Sequence, residues 1–169
     1  MNVYTKSGDE GQTTSYNGKR LPKDHNVIEI MGCIDSLLAS LDIAILLAGA
    51  SKDKLKQVQK VLWQTAGEIS LEGTGKNVKE GITLQHIEEL ETYIDTHNPG
   101  TSDFVRFRTE PGARVNLARV ECRRLERRIT KLYRDGFIRD EVYQYINRLS
   151  DFLYVVSCQL EGDLRSHND

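Results

Sequence analysis

A run of arginines on one predicted helix carries the most visible chemistry of this sequence. Four residues follow one another at steps of three and four and so share one side of a helix: Arg119, Arg123, Glu126 and Thr130. Guanidinium groups bind phosphates and carboxylates, and burying them at the edge of a core is costly unless an anion meets them. An ordinary solvated helix with Glu–Arg pairs is the competing interpretation. The stretch therefore predicts either an anion site or a surface face.

The charge balance limits which anion this could be. The chain of 169 residues has 23 Lys and Arg against 25 Asp and Glu, a formal net charge of −2. Such a chain has no general attraction for nucleic acid, so the basic helix is a local feature. A small polyanion is the better match, and a nucleic-acid binder is kept only as a third hypothesis.

The first 23 residues predict a loop that could contact this anion. They lack helical periodicity and are rich in Gly, Ser and Thr. Their backbone amides could close on a phosphate, and Lys6, Lys19, Arg20 and Lys23 could supply charge. A frayed N-terminus is the alternative. No GxxxxGKS/T motif is present, so a P-loop is excluded.

The histidines and cysteines predict no metal or nucleophile site. No Glu stands three residues before any of the four histidines, which excludes the Glu-x-x-His pairs of a di-iron bundle. Cys33, Cys122 and Cys158 form no CxxC and lie in apolar contexts, as reduced core cysteines of a cytoplasmic protein would. We find no leader and no run of about 18 apolar residues, so we expect no membrane partner.

Five amphipathic helices must position these residues. We expect helices from near Asp24 to Gly49, after Ser51, after Thr83, over 114–134, and from about Asp140. No alternating strand is apparent and the connectors are short, which predicts an all-α, five-helix up-and-down bundle. We expect a single domain over residues 1–169, with a loop at 1–23 and the bundle at 24–165.

Two further polar residues flank the predicted core seams. Asp35 follows the apolar Ile34, in the position that Arg119 holds relative to its own seam, and Asn147 follows Ile146. An Asp at such an edge would seek a cation, although a solvated Asp is the simpler interpretation. The connector over 101–112 contains Phe104 and Phe107, which either cover the end of the bundle or contact a ligand.

Three motifs in order resemble the PduO-type ATP:cob(I)alamin adenosyltransferases. They are Tyr4–Gly11 with Gly18–Asp24, then Cys122–Arg128, then Asn147–Leu153. The resemblance implies a five-helix, ferritin-like or cobalamin-adenosyltransferase-like bundle that assembles as a homotrimer. It also implies transfer of the 5′-deoxyadenosyl group of ATP to cob(I)alamin, or to a related corrinoid such as cob(I)yrinic acid a,c-diamide. Mg²⁺ would accompany the ATP, and a cob(II)alamin reductase would be a partner.

The resemblance implies roles for particular residues. Twelve would bind ATP: Thr5, Lys6, Ser7, Gly8, Thr13, Thr14, Lys23, Arg123, Arg124, Glu126, Arg127 and Asn147. Asp35, Phe104 and Arg119 would contact the corrinoid and, with Arg123, take direct part in the reaction. Asp35 and Arg119 would form a salt bridge. Phe104 would displace the corrinoid's lower ligand, which gives the four-coordinate cob(II)alamin that is then reduced, with Phe107 as the competing choice.

The departures from the family pattern all lie on the corrinoid side. Relatives usually continue the Phe loop with Pro-Gly-Gly and have Leu-His where this chain has Val115-Asn116. The first helix has Asp35-Ser36-Leu37-Leu38 where Asp-Glu-Leu-Asn is common. ATP binding is therefore the better supported expectation. The alternative function is a non-catalytic ATP- or corrinoid-binding relative, a sensor or carrier with a divergent loop over 106–116.

Overall fold

Five helices make up most of the fold. The computed structural model describes residues 4–16, 18–70, 81–100 and 105–165. Its helices are α1 (Asn26–Leu47), α2 (Lys52–Ser70), α3 (Leu84–His97), α4 (Glu110–Arg134) and α5 (Asp140–Arg165). A hairpin of β1 (Gln12–Thr14) and β2 (Arg20–Pro22) precedes them, and a 3₁₀ turn, Gly49–Ser51, separates α1 from α2. The predicted all-α, five-helix bundle is confirmed.

The helices pack in an up-and-down order. Helix α1 lies between α2 and α4, and α5 lies between α4 and α3. Contacts between α4 and α5 run in opposite directions along the two helices. Thr109, at the start of α4, contacts Glu161 near the end of α5, and Thr130, near the end of α4, contacts Tyr143 near the start of α5. The two helices are therefore antiparallel, and the contacts of α1 with α2 give the same result for that pair.

The predicted seam of α4 is the core of the bundle. All six of its residues are buried: Val115, Ala118, Cys122, Leu125, Ile129 and Leu132. Burying a Leu or Ile side chain contributes roughly 2 kcal/mol, so this seam fixes the face that α4 turns inward. The polar residues that follow each seam position must then lie at the edge of the core.

Two helix starts differ from the sequence-based predictions. Helix α1 is capped by His25 rather than Asp24, because the His25 Nδ1 accepts the Val27 N–H at 3.3 Å. Helix α4 begins at Glu110 rather than at residue 114, with the Thr109 side chain accepting the Gly112 N–H at 3.3 Å. The sequence predicts that Pro111 belongs to the connector over 101–112, but proline fits the first turn of a helix, where its missing N–H has no partner to lose.

A short hairpin lies inside the predicted N-terminal loop. Strands β1 and β2 pair antiparallel, with Thr13 opposite Leu21. The expectation that no strand would occur was wrong, because strands of three residues are too short to show an alternating pattern. The hairpin gives part of the loop a fixed position next to α1.

Helix α1 is more apolar than the sequence analysis recognised. An 18-residue window of this helix has a mean hydropathy of 2.0, which is enough by composition to span a membrane, contrary to our expectation. Half of that window is buried inside the bundle. The apolar composition of α1 is therefore explained in large part by its place between α2 and α4.

Candidate functional site

The loop before the hairpin is held in a tight turn by its own hydroxyl groups. The Thr5 Oγ1 and Ser7 Oγ atoms are 2.7 Å apart, and the Arg20 Nη2 donates to the Ser7 carbonyl at 2.8 Å. Lys6 between them has φ 59°, a left-handed conformation that is uncommon outside glycine. Strained backbone of this kind is often found where a chain is shaped around a ligand.

Lys23 lies directly over this turn. Its Nζ would be only 3.3 Å from a Cβ atom placed on Gly8, so the ammonium group covers the glycine backbone. The Lys23 N–H also donates to the Gly11 carbonyl at 2.9 Å. The turn, the glycine and the ammonium group form a cluster of the type that binds phosphate.

A groove separates the hairpin from α1. It has a volume of about 430 Å³ and is lined, among others, by Thr13, Thr14, Met31, Gly32, Asp35 and Ser70. The groove thus contains two threonines that are predicted to bind ATP and the Asp that is predicted to contact the corrinoid. It opens on the side of α1 that faces α2.

A second cluster lies where α4 meets α5. The Cys122 Sγ donates to the Ile146 carbonyl at 3.4 Å, which brings Asn147 on α5 next to this part of α4. Burial raises the pKa of the Cys122 thiol, and the negative charge of Glu126 raises it further, whereas Arg123 and Arg119 lower it. These three charged residues therefore surround one buried position, as the stripe predicted.

The arginines of α4 fall into two groups. Arg124 and Arg128 both reach the Glu29 Oε1 on α1, at 3.6 Å and 3.4 Å. Arg123 and Arg127 are exposed and, among the residues that the structure describes, form no ion pair or hydrogen bond. Arg124, which the resemblance placed at ATP, thus contacts α1 in this structure, and its role at ATP stays a prediction. Arg123 and Arg127 are available to an anion.

The predicted salt bridge between Asp35 and Arg119 is not formed within the chain. The Arg119 Nε donates instead to the Asn116 Oδ1 at 2.8 Å, and no ion pair joins Arg119 to Asp35 in the described structure. Asp35 faces the groove on the α2 side of α1, whereas Arg119 lies on the α5 side of α4. Because α1 and α4 are neighbours, the two residues lie on opposite sides of this helix pair.

The aromatic residues of the connector have different outcomes. Phe104 lies outside the described residues. Phe107 packs edge to face on Tyr154 of α5, with ring centroids 6.5 Å apart. The competing choice for the corrinoid contact is thus docked on the bundle, close to the Arg119 end of the contact between α4 and α5.

Sequence reasoning missed the role of two residues. Arg20 was considered only as a source of charge, but it shapes the turn at Ser7. Glu161 is buried at 4% exposure, and its carboxylate binds the start of α4. The available signal was an acidic residue four positions after Ser157 on the inner side of α5, where a charge needs a partner.

Comparison with known proteins agrees with this arrangement. The family model described as cobalamin adenosyltransferase matches residues 3–160. A corrinoid adenosyltransferase from Citrobacter freundii is 33% identical over 162 residues, which cover 90% of this chain and 90% of that protein. The corrinoid adenosyltransferase PduO of the same organism is 31% identical, and the match covers 99% of this chain but 52% of that protein. The chain therefore spans about half the length of this second relative.

A solved structure shows the same fold. A variant of a PduO-type ATP:corrinoid adenosyltransferase from Lactobacillus reuteri, complexed with ATP, superposes with a TM-score of 0.81 at 27% identity, covering 92% of this chain and 91% of that one. Fold, motifs and sequence identity over most of the chain point the same way. The chain belongs to the cobalamin adenosyltransferase family.

Proposed function

We propose that this protein transfers the 5′-deoxyadenosyl group of ATP to cob(I)alamin or a related corrinoid. The observation that carries the proposal is a pair of exposed arginines, Arg123 and Arg127, that have no partner among the described residues. Arg123 lies with Glu126 where α4 meets α5. Guanidinium groups without a protein partner, next to a core edge, fit an anionic substrate. The family to which the chain belongs supplies the reaction.

Two clusters would hold the nucleotide. Arg123 and Arg127 would bind the triphosphate, with Glu126 and the exposed Asn147 completing that side. The turn over residues 5–8, the ammonium group of Lys23 and the threonines at 13 and 14 would form the other side. The turn over residues 5–8 is shaped by its own hydrogen bonds before the substrate arrives, whereas the exposed Arg123 and Arg127 would become oriented when they bind the phosphates.

The reaction places little covalent chemistry on the protein. The cobalt(I) electron pair attacks the 5′ carbon of ATP, a cobalt–carbon bond forms, and the carbon–oxygen bond breaks with its electron pair leaving on triphosphate. The nucleophile belongs to the corrinoid. The side chains orient the 5′ carbon, neutralise the triphosphate as it leaves, and exclude water.

The corrinoid would bind beside the nucleotide. Asp35 in the groove next to α1 and Arg119 at the contact of α4 with α5 are the proposed polar contacts, each by itself and without the bridge between them. Phe104 remains the proposed residue at the lower face of the cobalt. This half of the site contains all the departures from the family pattern that the sequence analysis identified.

Mg²⁺ fits this site only as an ion that the nucleotide carries. Among the described residues, no cluster of three His, Cys, Asp or Glu side chains could hold a metal. Mg²⁺ is commonly bound by substrate phosphates with one or two carboxylates, and Glu126 is the carboxylate beside the arginines. The ion would neutralise part of the triphosphate charge.

A homotrimer would bring the two nucleotide clusters together. The hairpin and its groove lie on the α2 side of α1, whereas Arg123 lies on the far side of α4, so one copy does not close the site by itself. Exposed apolar residues on α1 and α4 fit an interface between copies. They are Ile43, Leu46, Leu47, Leu117 and Val120.

The cellular setting is part of the proposal. All three cysteines are free, which fits a reducing cytoplasm. A cob(II)alamin reductase would supply the electron that produces cob(I)alamin. Residues 1–23 would act as the nucleotide-binding loop and residues 24–165 as the bundle of one domain.

The direct test uses ATP, Mg²⁺ and chemically reduced cob(I)alamin. We expect the absorbance change of adenosylcobalamin formation above the protein-free rate. Arg123→Ala is the loss-of-function comparison, because it removes one exposed guanidinium proposed to bind the triphosphate, and its rate should fall well below that of the wild type. ATP or corrinoid binding without turnover would instead assign the chain to the non-catalytic alternative, and salt-sensitive oligonucleotide binding that ATP does not displace would assign it to nucleic acid.

The sharing of one site between copies can be tested by mixing inactive variants. Lys23→Ala and Arg123→Ala each disable one cluster. If the site lies between copies, mixed assemblies contain some sites with both clusters intact, and we expect activity to return after the two proteins are unfolded and refolded together. No recovery in the mixture, with trimers confirmed by light scattering, would place both clusters in one chain.

A further inference from the structure

A buried carboxylate holds the loop that leads into α4. The Glu161 side chain, near the end of α5, accepts the Arg108 N–H on both oxygens at 3.0 Å. Its Oε2 also accepts the Thr109 N–H at 3.0 Å and the Thr109 hydroxyl at 2.9 Å. Among the described residues, three donors converge on one carboxylate that is almost fully removed from water, at the positive end of the α4 dipole.

The first turn of α4 is built closely around this carboxylate. A Cβ atom on Gly112 would lie 3.0 Å from the Glu161 Oε2, 3.0 Å from the Thr109 Oγ1 and 3.1 Å from the Ser157 carbonyl. Only glycine fits such a short approach without displacing its neighbours. Glu161 is therefore packed as well as hydrogen bonded, and it fixes the backbone at 108 and 109 against α5.

The anchored segment lies at one defined end of the site. Phe107, next to the anchored Arg108, packs on Tyr154, two turns before Glu161 on the same face of α5. Cys158 lies between these two positions. Burial raises the pKa of its thiol, the hydrogen bond with Tyr154 lowers it, the charge of Glu161 raises it, and the positive charge of the nearby Arg119 lowers it. The anchored segment thus lies at the Arg119 end of the contact between α4 and α5, away from Arg127.

We propose that Glu161 is a positioning residue for the corrinoid end of the site. It acts through the backbone of Arg108 and Thr109, which sets the position of Phe107 and the direction in which α4 carries Arg119. The proposal rests on the proposed adenosyl transfer and extends it to a residue outside the motifs that carry the family resemblance. We expect ATP binding at Arg123 and Arg127 to be independent of this anchor, because those two side chains lie one to two helical turns beyond Arg119, further from residues 108 and 109.

The test is Glu161→Gln, measured with ATP and corrinoid varied separately. The amide keeps one acceptor oxygen but turns an NH₂ group toward N–H donors, so the loop loses part of its anchor. We expect the corrinoid KM to rise at least about tenfold, as loss of a charged hydrogen bond predicts, with the ATP KM nearly unchanged. Glu161→Asp should recover part of the loss, because it keeps the charge with a shorter reach.

Two controls make the result specific. Glu141→Gln is the same substitution in the same helix, at a carboxylate that pairs with Arg139 at 3.0 Å, and it should leave both KM values unchanged. The spectrum of bound cob(II)alamin in the presence of ATP reports the cobalt environment, and Glu161→Gln should lower the four-coordinate fraction. If Glu161→Gln does not fold, Thr109→Val removes one of the three donors and should raise the corrinoid KM alone.

The outcomes separate this proposal from the function on which it rests. Wild-type protein without adenosyl transfer would refute both. Active wild-type protein with equal changes in the two KM values, or with no change in the corrinoid KM and the cob(II)alamin spectrum, would refute only the positioning role of Glu161.

Discussion

Helix α4 carries arginines on two sides, and the two sides differ in what they contact. On the side that faces α1, Arg124 and Arg128 share the carboxylate of Glu29. On the side toward α5, Arg123 and Arg127 have no partner in the described part of the chain. The four residues are close in sequence and chemically identical, so residue type alone does not identify the functional ones.

The difference shows how a protein can use one helix for two purposes. Paired guanidinium groups at a half-exposed surface contribute little to stability, often less than about 1 kcal/mol, and their charge is already met. Guanidinium groups without an ion pair gain no such stabilisation, but their charge is available to a substrate. The test of this division is whether substitutions on the two sides affect different measurements.

The largest effect is expected for Arg123→Ala. Removing one oriented donor from a developing charge costs on the order of 3 kcal/mol, or at least about a hundredfold in kcat/KM for ATP. Arg128→Ala is the matched control, and its kcat/KM should stay within about threefold of wild type, since its charge is met by Glu29. Steady-state kinetics on the two variants test this. An equal loss of activity in both would contradict the division of function between the two sides of α4.

A smaller effect, on stability, is expected for Gly112→Ala. The added Cβ would enter the contact of α4 with Glu161 and Ser157, and overpacking of this kind costs about 1–3 kcal/mol. Gly162→Ala is the control on α5, because nothing lies within 4 Å of its Cβ position. Urea unfolding should separate the two variants, and equal midpoints would show that the entry of α4 is loosely packed.

Alkaline pH should destabilise the α5 side through Cys122. Burial raises the pKa of this thiol in the folded state above its ordinary value of 9.0, so the folded protein keeps a proton that the unfolded chain loses. The stabilisation is complete below that value and is lost as pH rises above it, by up to about 1.4 kcal/mol per pH unit. Urea unfolding at about pH 8 and about pH 10 should show a smaller decline for Cys122→Ala than for wild type. An equal decline would contradict the assignment.

The smallest effect is expected for Glu29→Gln on the α1 side. The loss of two long ion pairs should lower the free energy of unfolding by a few tenths of a kcal/mol, less at high salt. The ATP KM should not change. A clear rise in ATP KM would mean that Arg124 or Arg128 reaches the nucleotide after all, and that the two sides of α4 are not separate in function.

The sequence predicted the parts of the fold that repeat. Apolar residues recur along α4 at steps of three and four, which is enough to identify its buried face. The stripe beside that seam placed Arg119, Arg123 and Glu126 on one side of the helix, and all three lie near Cys122. The start of α4 was not predictable from the same pattern. Its cap at Thr109 depends on a carboxylate 52 positions later in the chain, and no local pattern reports such a contact.

The pairing of Asp35 with Arg119 shows a second limit. Both residues follow a seam position, which states only on which side of its own helix each one lies. Whether two such sides face each other depends on which helices are neighbours, and here α1 turns Asp35 toward α2 while α4 turns Arg119 toward α5. Arg124 differs from Arg123 for the same reason, since one step along the helix moves a side chain from the α5 side to the α1 side, where it meets Glu29.

The apolar character of α1 has a consequence for how the chain folds as it is made. Helix α1 is synthesised before its neighbour α4, which ends at Arg134, 87 residues after Leu47. At usual rates of synthesis this leaves roughly 4–17 s in which an apolar helix lacks its largest neighbour. We therefore expect nascent chains that stop before α4 to bind chaperones or aggregate, and chains that include it to become soluble.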